Sequence, residues 1–188
     1  MTSVSAGEAG ESGDAGMNDD LLSWVRPVAD FPIPGVTFRD LTPLMADPAA
    51  LGRAVCALAD PFRGTGIGQV AGIEARGFVF GALVARELGA GFVPLRKPGK
   101  LPKGVESASY ALEYGTASLE IHRDAFPAGE RVLLVDDVLA TGGTAAAAAE
   151  LLGRLGARLA GAAFLLELPA LRGRARLVGL HVHSVLRA

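Results

Sequence analysis

The sequence is poor in cysteine and has no apolar run long enough to cross a membrane. Its single cysteine, Cys56, excludes an internal disulfide. Because its neighbours are apolar and no catalytic partner stands near it in sequence, we expect Cys56 to be a small core residue on a helix. No apolar stretch approaches the roughly 20 residues that a spanning helix needs. The first residues also lack the basic and apolar regions of a signal peptide. The expectation is a cytoplasmic protein with no membrane partner.

A large excess of charge of one sign is also missing, since the formal net charge is −2. Residues 1–20 contain five acidic and no basic residues, which leaves 15 acidic and 18 basic residues in the rest of the chain. This nearly balanced remainder argues against a polybasic nucleic-acid binder. Residues 1–17 are rich in Gly, Ala, Ser and Glu and have no apolar period, so we expect a disordered acidic tail. A single domain is expected over residues 18–188.

Strand and helix patterns alternate along most of the chain. We therefore expect an α/β fold, with a central, mostly parallel sheet and helices on both faces. An irregular surface loop is predicted over residues 31–40, and a mobile loop over residues 96–108. The predicted helices are residues 20–29, 48–61, 76–88 and 144–155, with a helical turn near 171. The predicted strands are residues 69–73, 92–95, 131–135, 158–167 and 177–186, with a hairpin of 110–114 and 116–122.

The most informative segment is Val132–Thr144. Four apolar residues predict a buried strand, and Asp136 and Asp137 follow at its expected end. The next residues form a Thr-Gly-Gly-Thr turn that leads into a helix. Free N–H groups at such a turn bind phosphate. Carboxylates would repel phosphate unless they face hydroxyl groups or a metal ion, so the pattern indicates a sugar phosphate site.

Lysine is scarce and confined to one place. The three lysines are Lys97, Lys100 and Lys103, and they directly follow Arg96. A cationic loop that also contains Gly and Pro can fold over a polyanion. The alternative is an ordinary solvated run of charge.

A second candidate anion site is the segment Ile73–Gly77. It places Glu74 and Arg76 at another junction between a strand and a helix. The alternative is that these two side chains cap the helix or pair with each other.

Several motifs in register carry a family resemblance. The segments Phe31–Asp40, Gly72–Phe78, Arg96–Pro102 and Ser109–Gly115 precede the Val132–Thr144 segment in that order. Together they resemble the adenine phosphoribosyltransferase family, within the type I phosphoribosyltransferases, over about residues 20–186. The resemblance implies a type I phosphoribosyltransferase fold with a mobile catalytic loop and hairpin and a small N-terminal hood. It also implies a Mg²⁺-dependent homodimer that converts adenine and phosphoribosyl pyrophosphate (PRPP) to AMP and pyrophosphate in purine salvage.

The resemblance also implies a role for individual residues. The ribose hydroxyls, partly through Mg²⁺, would be held by Asp136 and Asp137. The 5′-phosphate would be held by Ala140, Thr141, Gly142, Gly143 and Thr144. The pyrophosphate would be met by Arg76, Arg96, Lys97 and Lys100. Adenine would be bound by Thr37, Phe38, Arg39 and Leu168. The residues implied in catalysis are Glu113, as the candidate acid, together with Arg76 and Lys100.

Two alternatives stay open at this point. The first is a phosphoribosyltransferase for another purine base, because base discrimination depends on few hydrogen bonds. The second is a regulator that senses PRPP or purines without catalysis, because a fold does not specify a function.

Overall fold

A computed structural model describes residues 20–102, 104–111 and 116–188. Residue contacts divide the chain into two compact units, residues 1–50 and residues 51–188. The predicted acidic tail, residues 1–17, lies outside the described residues. The expectation of one domain over residues 18–188 stays a prediction.

The regular elements account for most of the described residues. The strands are β1 (Arg26–Val28), β2 (Phe38–Asp40), β3 (Gln69–Ile73), β4 (Gly91–Leu95), β5 (Val105–Ala111), β6 (Thr116–His122), β7 (Arg131–Leu139), β8 (Arg158–Glu167) and β9 (Val182–Arg187). The helices are α1 (Thr42–Ala46), α2 (Pro48–Ala59), α3 (Arg76–Leu88) and α4 (Gly143–Arg154), with 3₁₀ turns at Asp60–Phe62, Pro169–Leu171 and Gly173–Arg176.

A five-stranded sheet organises the larger unit. Its strand order is β4-β3-β7-β8-β9. Every neighbouring pair is parallel. A parallel sheet is covered on both faces, which explains why its strands are nearly continuous apolar runs. The predicted α/β fold is confirmed.

Helices α3 and α4 cover opposite faces of this sheet. Ala71, Leu134 and Phe164 belong to one buried cluster with Leu151 of α4. Gly72, the next residue along β3, faces the other way, because successive strand residues alternate between faces. A Cβ atom on Gly72 would lie 2.7 Å from a backbone carbonyl oxygen of α3. The expectation of helices on both faces is therefore confirmed.

The predicted hairpin is confirmed over residues 110–111 and 116–122, but its first strand begins earlier than expected, and residues 112–114 of that predicted strand lie outside the described residues. Strands β5 and β6 pair antiparallel from Val105↔His122 to Ala111↔Thr116. Residues 105–108, predicted to belong to a mobile loop, therefore lie in β5. Ala108 is buried in the core cluster. Small Ser and Ala side chains gave this strand a weak apolar alternation, which hid it in the sequence.

The N-terminal prediction is wrong in part. Residues 20–22 are helical, but Arg26–Val28 forms β1, which pairs antiparallel with β2. The Arg26 guanidinium binds the Asp40 carboxylate at 2.5 Å across this pair. Residues 31–40, predicted to be irregular throughout, therefore end in a strand. Cross-strand pairing of this kind overrides the local helical pattern.

Two further expectations are wrong. Cys56 is exposed on α2 and is not a core residue. The last strand begins at Val182 and not at Leu177, because the chain turns at residues 177–180, where the Leu180 N–H donates to the Leu177 carbonyl at 3.2 Å. Within the described residues, no helix has both the length and the apolar character that crossing a bilayer requires.

We predict that Gly72→Ala destabilises the protein by about 1–3 kcal/mol, because overpacking a well-filled contact costs about this much. The added methyl would lie 2.6 Å from the Phe92 ring and 2.7 Å from the Gly77 carbonyl oxygen. Urea unfolding measures the change. Gly52→Ala on α2 is the control, since its methyl would meet no atom within 4 Å. Equal unfolding midpoints for the two variants would contradict the close packing of α3 on β3.

Candidate functional site

The candidate site lies where the strand connections diverge. From β3 the chain passes through α3 to β4, which lies on one side of the β3–β7 pair. From β7 the chain passes through α4 to β8, which lies on the opposite side of this pair. Strands β3 and β7 are neighbours. In open α/β sheets, ligands bind at the carboxyl ends of the strands at such a switch point.

Strand β7 is longer than predicted, which changes the position of the two aspartates. The predicted strand ended at Val135, but β7 continues to Leu139 because it stays paired with β8 as far as Glu167. Asp136 and Asp137 therefore lie within the strand and not at its end. The expectation of a strand end at these carboxylates is wrong, although both residues still precede the turn.

The Ala140–Gly142 turn joins β7 to α4. Gly142 has a φ of +78°, a left-handed conformation that suits glycine, and α4 begins at Gly143. The Gly142 carbonyl accepts the Ala146 N–H at 2.9 Å. The N–H groups of the first helical turn have no partner inside the helix, so they can bind an anion. A pocket opens here, with Asp136, Thr141 and Thr144 in its wall.

The two aspartates differ in their electrostatic surroundings. Asp137 is buried, and its carboxylate binds the Arg76 guanidinium. The Asp136 carboxylate accepts the Asp137 N–H at 2.9 Å, and its Oδ1 is 2.7 Å from the place that a Cβ of Gly77 would take. Burial, followed by the negative charge of Asp137, raises the pKa of Asp136 well above its ordinary value. The structure therefore holds one compensated and one poorly compensated carboxylate next to the turn.

Glu74 connects the second junction to the cationic loop. Its carboxylate accepts the Lys97 backbone N–H at 2.9 Å and the Arg96 Nε–H at 3.3 Å. The hydrogen bond from Lys97, followed by that from Arg96, lowers the pKa of Glu74. The sequence left open a pairing of Glu74 with Arg76, but these two side chains bind Arg96 and Asp137 respectively. The tethering role of Glu74 was missed, although an acid within a candidate anion site was a signal for it.

The start of the cationic loop is ordered by further contacts. Arg96 donates to the Lys100 carbonyl at 3.2 Å, and its guanidinium lies 5.8 Å from the ring centre of Phe78 on α3. The Gly99 N–H donates to the Glu120 carboxylate at 3.0 Å. Lys97 and Lys100 are exposed. Lys103 lies outside the described residues.

The expected base-binding residues fall in both units. Thr37, Phe38 and Arg39 belong to the smaller unit, in and beside β2, and Phe38 packs edge-to-face on Phe31 at 5.2 Å between ring centres. Leu168 belongs to the larger unit, where it follows β8 and is half-buried. Glu113, the expected catalytic acid, lies outside the described residues.

The donor set suits a hard cation that other ligands help to hold. Carboxylate oxygens are ligands that Mg²⁺ prefers, and Mg²⁺ usually binds one or two of them together with water and substrate phosphates. Asp136 and Asp137 offer such oxygens. Across residues 20–102, 104–111 and 116–188, no three His, Cys, Asp or Glu side chains cluster to hold a metal ion. The residues fit a Mg²⁺ ion bound jointly with a phosphorylated substrate.

The parallel sheet, the two aspartates of β7, the glycine turn and the N-terminus of α4 form the arrangement expected of a phosphoribosyltransferase. The phosphoribosyl transferase domain family matches residues 63–177, which places the chain in this class. Over 168 residues the chain is 60% identical to the adenine phosphoribosyltransferase of Methylococcus capsulatus, covering 89% of this chain and 98% of that protein. The chain belongs to the adenine phosphoribosyltransferase family.

Solved structures agree with this relationship. The adenine phosphoribosyltransferase of Rhodothermus marinus superposes with a TM-score of 0.87 at 49% identity, over 91% of this chain and 98% of that one. The Saccharomyces cerevisiae enzyme, complexed with an imino-altritol bisphosphate and adenine, gives a TM-score of 0.85 at 39% identity. That match covers 89% of this chain and 97% of the yeast chain.

We predict that Asp136→Asn raises the melting temperature of the ligand-free protein by about 2–4 °C near pH 8, the shift that corresponds to a relieved penalty of about 1 kcal/mol in a chain of this size. A carboxyl with a raised pKa destabilises the folded state only when it is ionised. This loss of folding free energy is absent below the ordinary pKa of a carboxyl group and complete above the raised pKa of Asp136 in the folded protein. The gain should therefore shrink as the pH falls toward about 4.

Thermal unfolding between pH 4 and pH 8 tests this expectation. Asp124→Asn is the matched control, because Asp124 is an exposed carboxyl on the turn after β6. A melting temperature for Asp136→Asn at or below that of the unaltered protein at pH 8 would contradict the assignment of an electrostatic penalty to Asp136.

Proposed function

We propose that this protein transfers the phosphoribosyl group of PRPP to N9 of adenine, forming AMP and pyrophosphate in purine salvage. The observation that carries the proposal is the position of Asp136 and Asp137 beside the Ala140–Gly142 turn at the N-terminus of α4. Family membership supports the reaction, and the adenine complex of the yeast relative supports the base.

The donor sugar would bind along β7 and the turn. Asp136 and Asp137 accept hydrogen bonds from the ribose hydroxyls, since ionised carboxylates are acceptors. The 5′-phosphate is held by residues Ala140, Thr141, Gly142, Gly143 and Thr144, through N–H groups that the helix leaves without partners. Hydroxyls and phosphate of one ligand thus satisfy the carboxylates and the turn together.

The pyrophosphate would bind at the α3 junction. Arg76 lies at the N-terminus of α3, and Glu74 tethers Arg96 and Lys97 nearby. Together with Lys100, these cations meet the pyrophosphate. Preorganised cations are worth most where charge develops, and the leaving pyrophosphate gains charge in the transition state.

Adenine would be bound by Thr37, Phe38 and Arg39 of the smaller unit and by Leu168. Backbone groups of the Thr37–Arg39 segment read the edge of adenine that carries the exocyclic amine. The family resemblance assigns Phe38 to one face of the ring and Leu168 to the other. Aromatic and aliphatic side chains suit the faces of a flat purine.

The reaction exchanges one bond at the anomeric carbon for another. The bond from N9 forms as the bond to pyrophosphate breaks, pyrophosphate leaves with the electron pair, and the N9 proton is released to bulk water. Glu113 in its protonated form donates a hydrogen bond to the purine as the base attacks. The cationic loop and its hairpin exclude water, because hydrolysis of the activated sugar is the competing reaction.

Mg²⁺ is part of the proposal, with Asp136 and Asp137 as the residues that would hold it together with PRPP. When bound, it neutralises phosphate charge. A homodimer is proposed from the family resemblance, and a cytoplasmic location from the cysteine-poor composition.

We expect AMP to form when the protein is mixed with PRPP, Mg²⁺ and adenine, and at least a hundredfold less nucleotide with hypoxanthine, guanine or xanthine, since a site built to hydrogen-bond one substrate rejects analogues strongly. Chromatographic separation of the nucleotides measures the products, and omission of Mg²⁺ is expected to abolish them. Pyrophosphate release without nucleotide, or a preference for another base, would overturn the proposal.

We predict that Glu113→Gln lowers kcat about 100-fold or more, since a positioned acid contributes about that much, with a smaller effect on either KM. Steady-state kinetics with both substrates varied measure the change. Glu106→Gln on β5 is the control, because the Glu106 carboxylate forms long ion pairs, each of 3.7 Å, with Arg123 and Arg154. An unchanged kcat would remove Glu113 from the mechanism.

A further inference from the structure

The Ala140–Gly142 turn is packed directly against the backbone of Gly173. A Cβ atom on Gly173 would lie 2.2 Å from the Ala140 carbonyl oxygen and 2.9 Å from the Gly142 nitrogen. Conversely, a Cβ atom on Gly142 would lie 2.3 Å from the Gly173 carbonyl oxygen. The two atoms that a Cβ on Gly173 would approach are backbone atoms of the turn, so no side-chain rotation could make room for it. Glycine at position 173 is what allows the two backbones to touch.

Gly173 belongs to a segment, residues 168–176, that leaves the end of β8. The segment begins at Leu168, whose N–H donates to the Leu139 carbonyl at 2.9 Å, and it ends with the 3₁₀ turn Gly173–Arg176. The segment is thus continuous with the strand next to β7. It is in contact with the turn at one end and holds the proposed base-binding Leu168 at the other.

An ion pair between the half-buried Arg174 and the buried Glu167 fixes this segment in place. Arg174 binds both carboxylate oxygens of Glu167, with Nε–Oε1 at 3.0 Å and Nη2–Oε2 at 2.5 Å. Glu167 is 5% exposed, and the hydrogen bond from Arg174 lowers the pKa of Glu167. Arg174 Nη1 also donates to the Val182 carbonyl on β9 at 2.6 Å. A bidentate pair fixes orientation as well as distance, so the residue next to Gly173 is anchored to two strands.

We propose that Gly173, anchored through the Arg174–Glu167 ion pair, is a positioning residue that sets the conformation of the Ala140–Gly142 turn for the sugar phosphate. The role in substrate binding rests on the proposed function, whereas the role in turn conformation rests on packing alone. Gly173 itself need not touch the ligand.

Gly173→Ala tests the proposal because the added methyl forces one of the two backbones to move. The ion pair holds the 168–176 segment, so we expect the turn to yield. The KM for PRPP should then rise at least about tenfold, because hydrogen bonds to a charged group are worth about 1.5–3 kcal/mol each. The KM for adenine should stay within about twofold and kcat should change less than the KM for PRPP.

Gly153→Ala is the matched control, since Gly153 lies on α4 and its methyl would meet no atom within 4 Å. Steady-state kinetics and melting temperatures are measured for both variants. An unchanged KM for PRPP in Gly173→Ala would overturn the proposal. A rise confined to the KM for adenine would also overturn it, because the segment with Leu168 would then have moved and not the turn.

Arg174→Lys keeps the experiment decisive if Gly173→Ala does not fold. Lysine preserves the charge but cannot form the two-pronged contact with Glu167. The same selective rise in the KM for PRPP is expected, and unchanged kinetics would overturn the anchoring role.

Amide hydrogen exchange separates this proposal from the proposed function. The Ala146 N–H donates to the Gly142 carbonyl. In Gly173→Ala, or in Arg174→Lys if the former does not fold, this amide should exchange at least about tenfold faster, with amides in the middle of α3 unchanged. If the unaltered protein makes no AMP, the proposed function fails, but faster exchange at Ala146 would still support the packing role. Unaltered exchange would refute it.

Discussion

Two adjacent carboxylates in a covered strand are the constraint on which the rest of the site depends. Charges placed away from water destabilise a fold unless partners compensate them. Arg76 compensates Asp137, whereas the Asp137 N–H and the charge of Arg76 offset the burial of Asp136 and its neighbour's charge only in part. A ligand that donates hydroxyl groups to Asp136 would relieve this imbalance. The structure therefore gives up stability at the position where it is proposed to bind the sugar.

Close backbone packing is the second requirement of the site. Gly77 brings the start of α3 against β7 at Asp136, and Gly142 and Gly173 bring two loops into contact beside it. Each of these contacts leaves no room for a side chain. The site is consequently shaped by main-chain atoms, whose positions follow from the sheet and its connections. Such placement keeps N–H groups oriented before a ligand arrives, which lowers the cost of ordering them on binding.

Local patterns predicted the central part of the fold well. The bounds of β3, α3 and β8 match the prediction to the residue, because each is an apolar or amphipathic run with polar residues or glycine at its ends. Strands β1 and β2 were missed because they are three residues long and depend on each other. The sequence pattern predicted a strand end at Asp136 and Asp137, because the pairing with β8 that extends β7 leaves no signal in the neighbouring residues. The Gly142–Gly173 contact joins residues far apart in sequence and left no local signal.

The strand order separates the two proposed anion sites onto different elements. The Ala140–Gly142 turn belongs to the connection from β7 to α4, whereas Arg76 and the Glu74-tethered loop belong to the connection from β3 to β4. These connections run to opposite sides of the β3–β7 pair. In the proposed reaction one phosphate stays with the product while the pyrophosphate leaves. Because the two groups would be held by separate elements, this arrangement would let the cationic loop release the leaving group without disturbing the turn that retains the nucleotide.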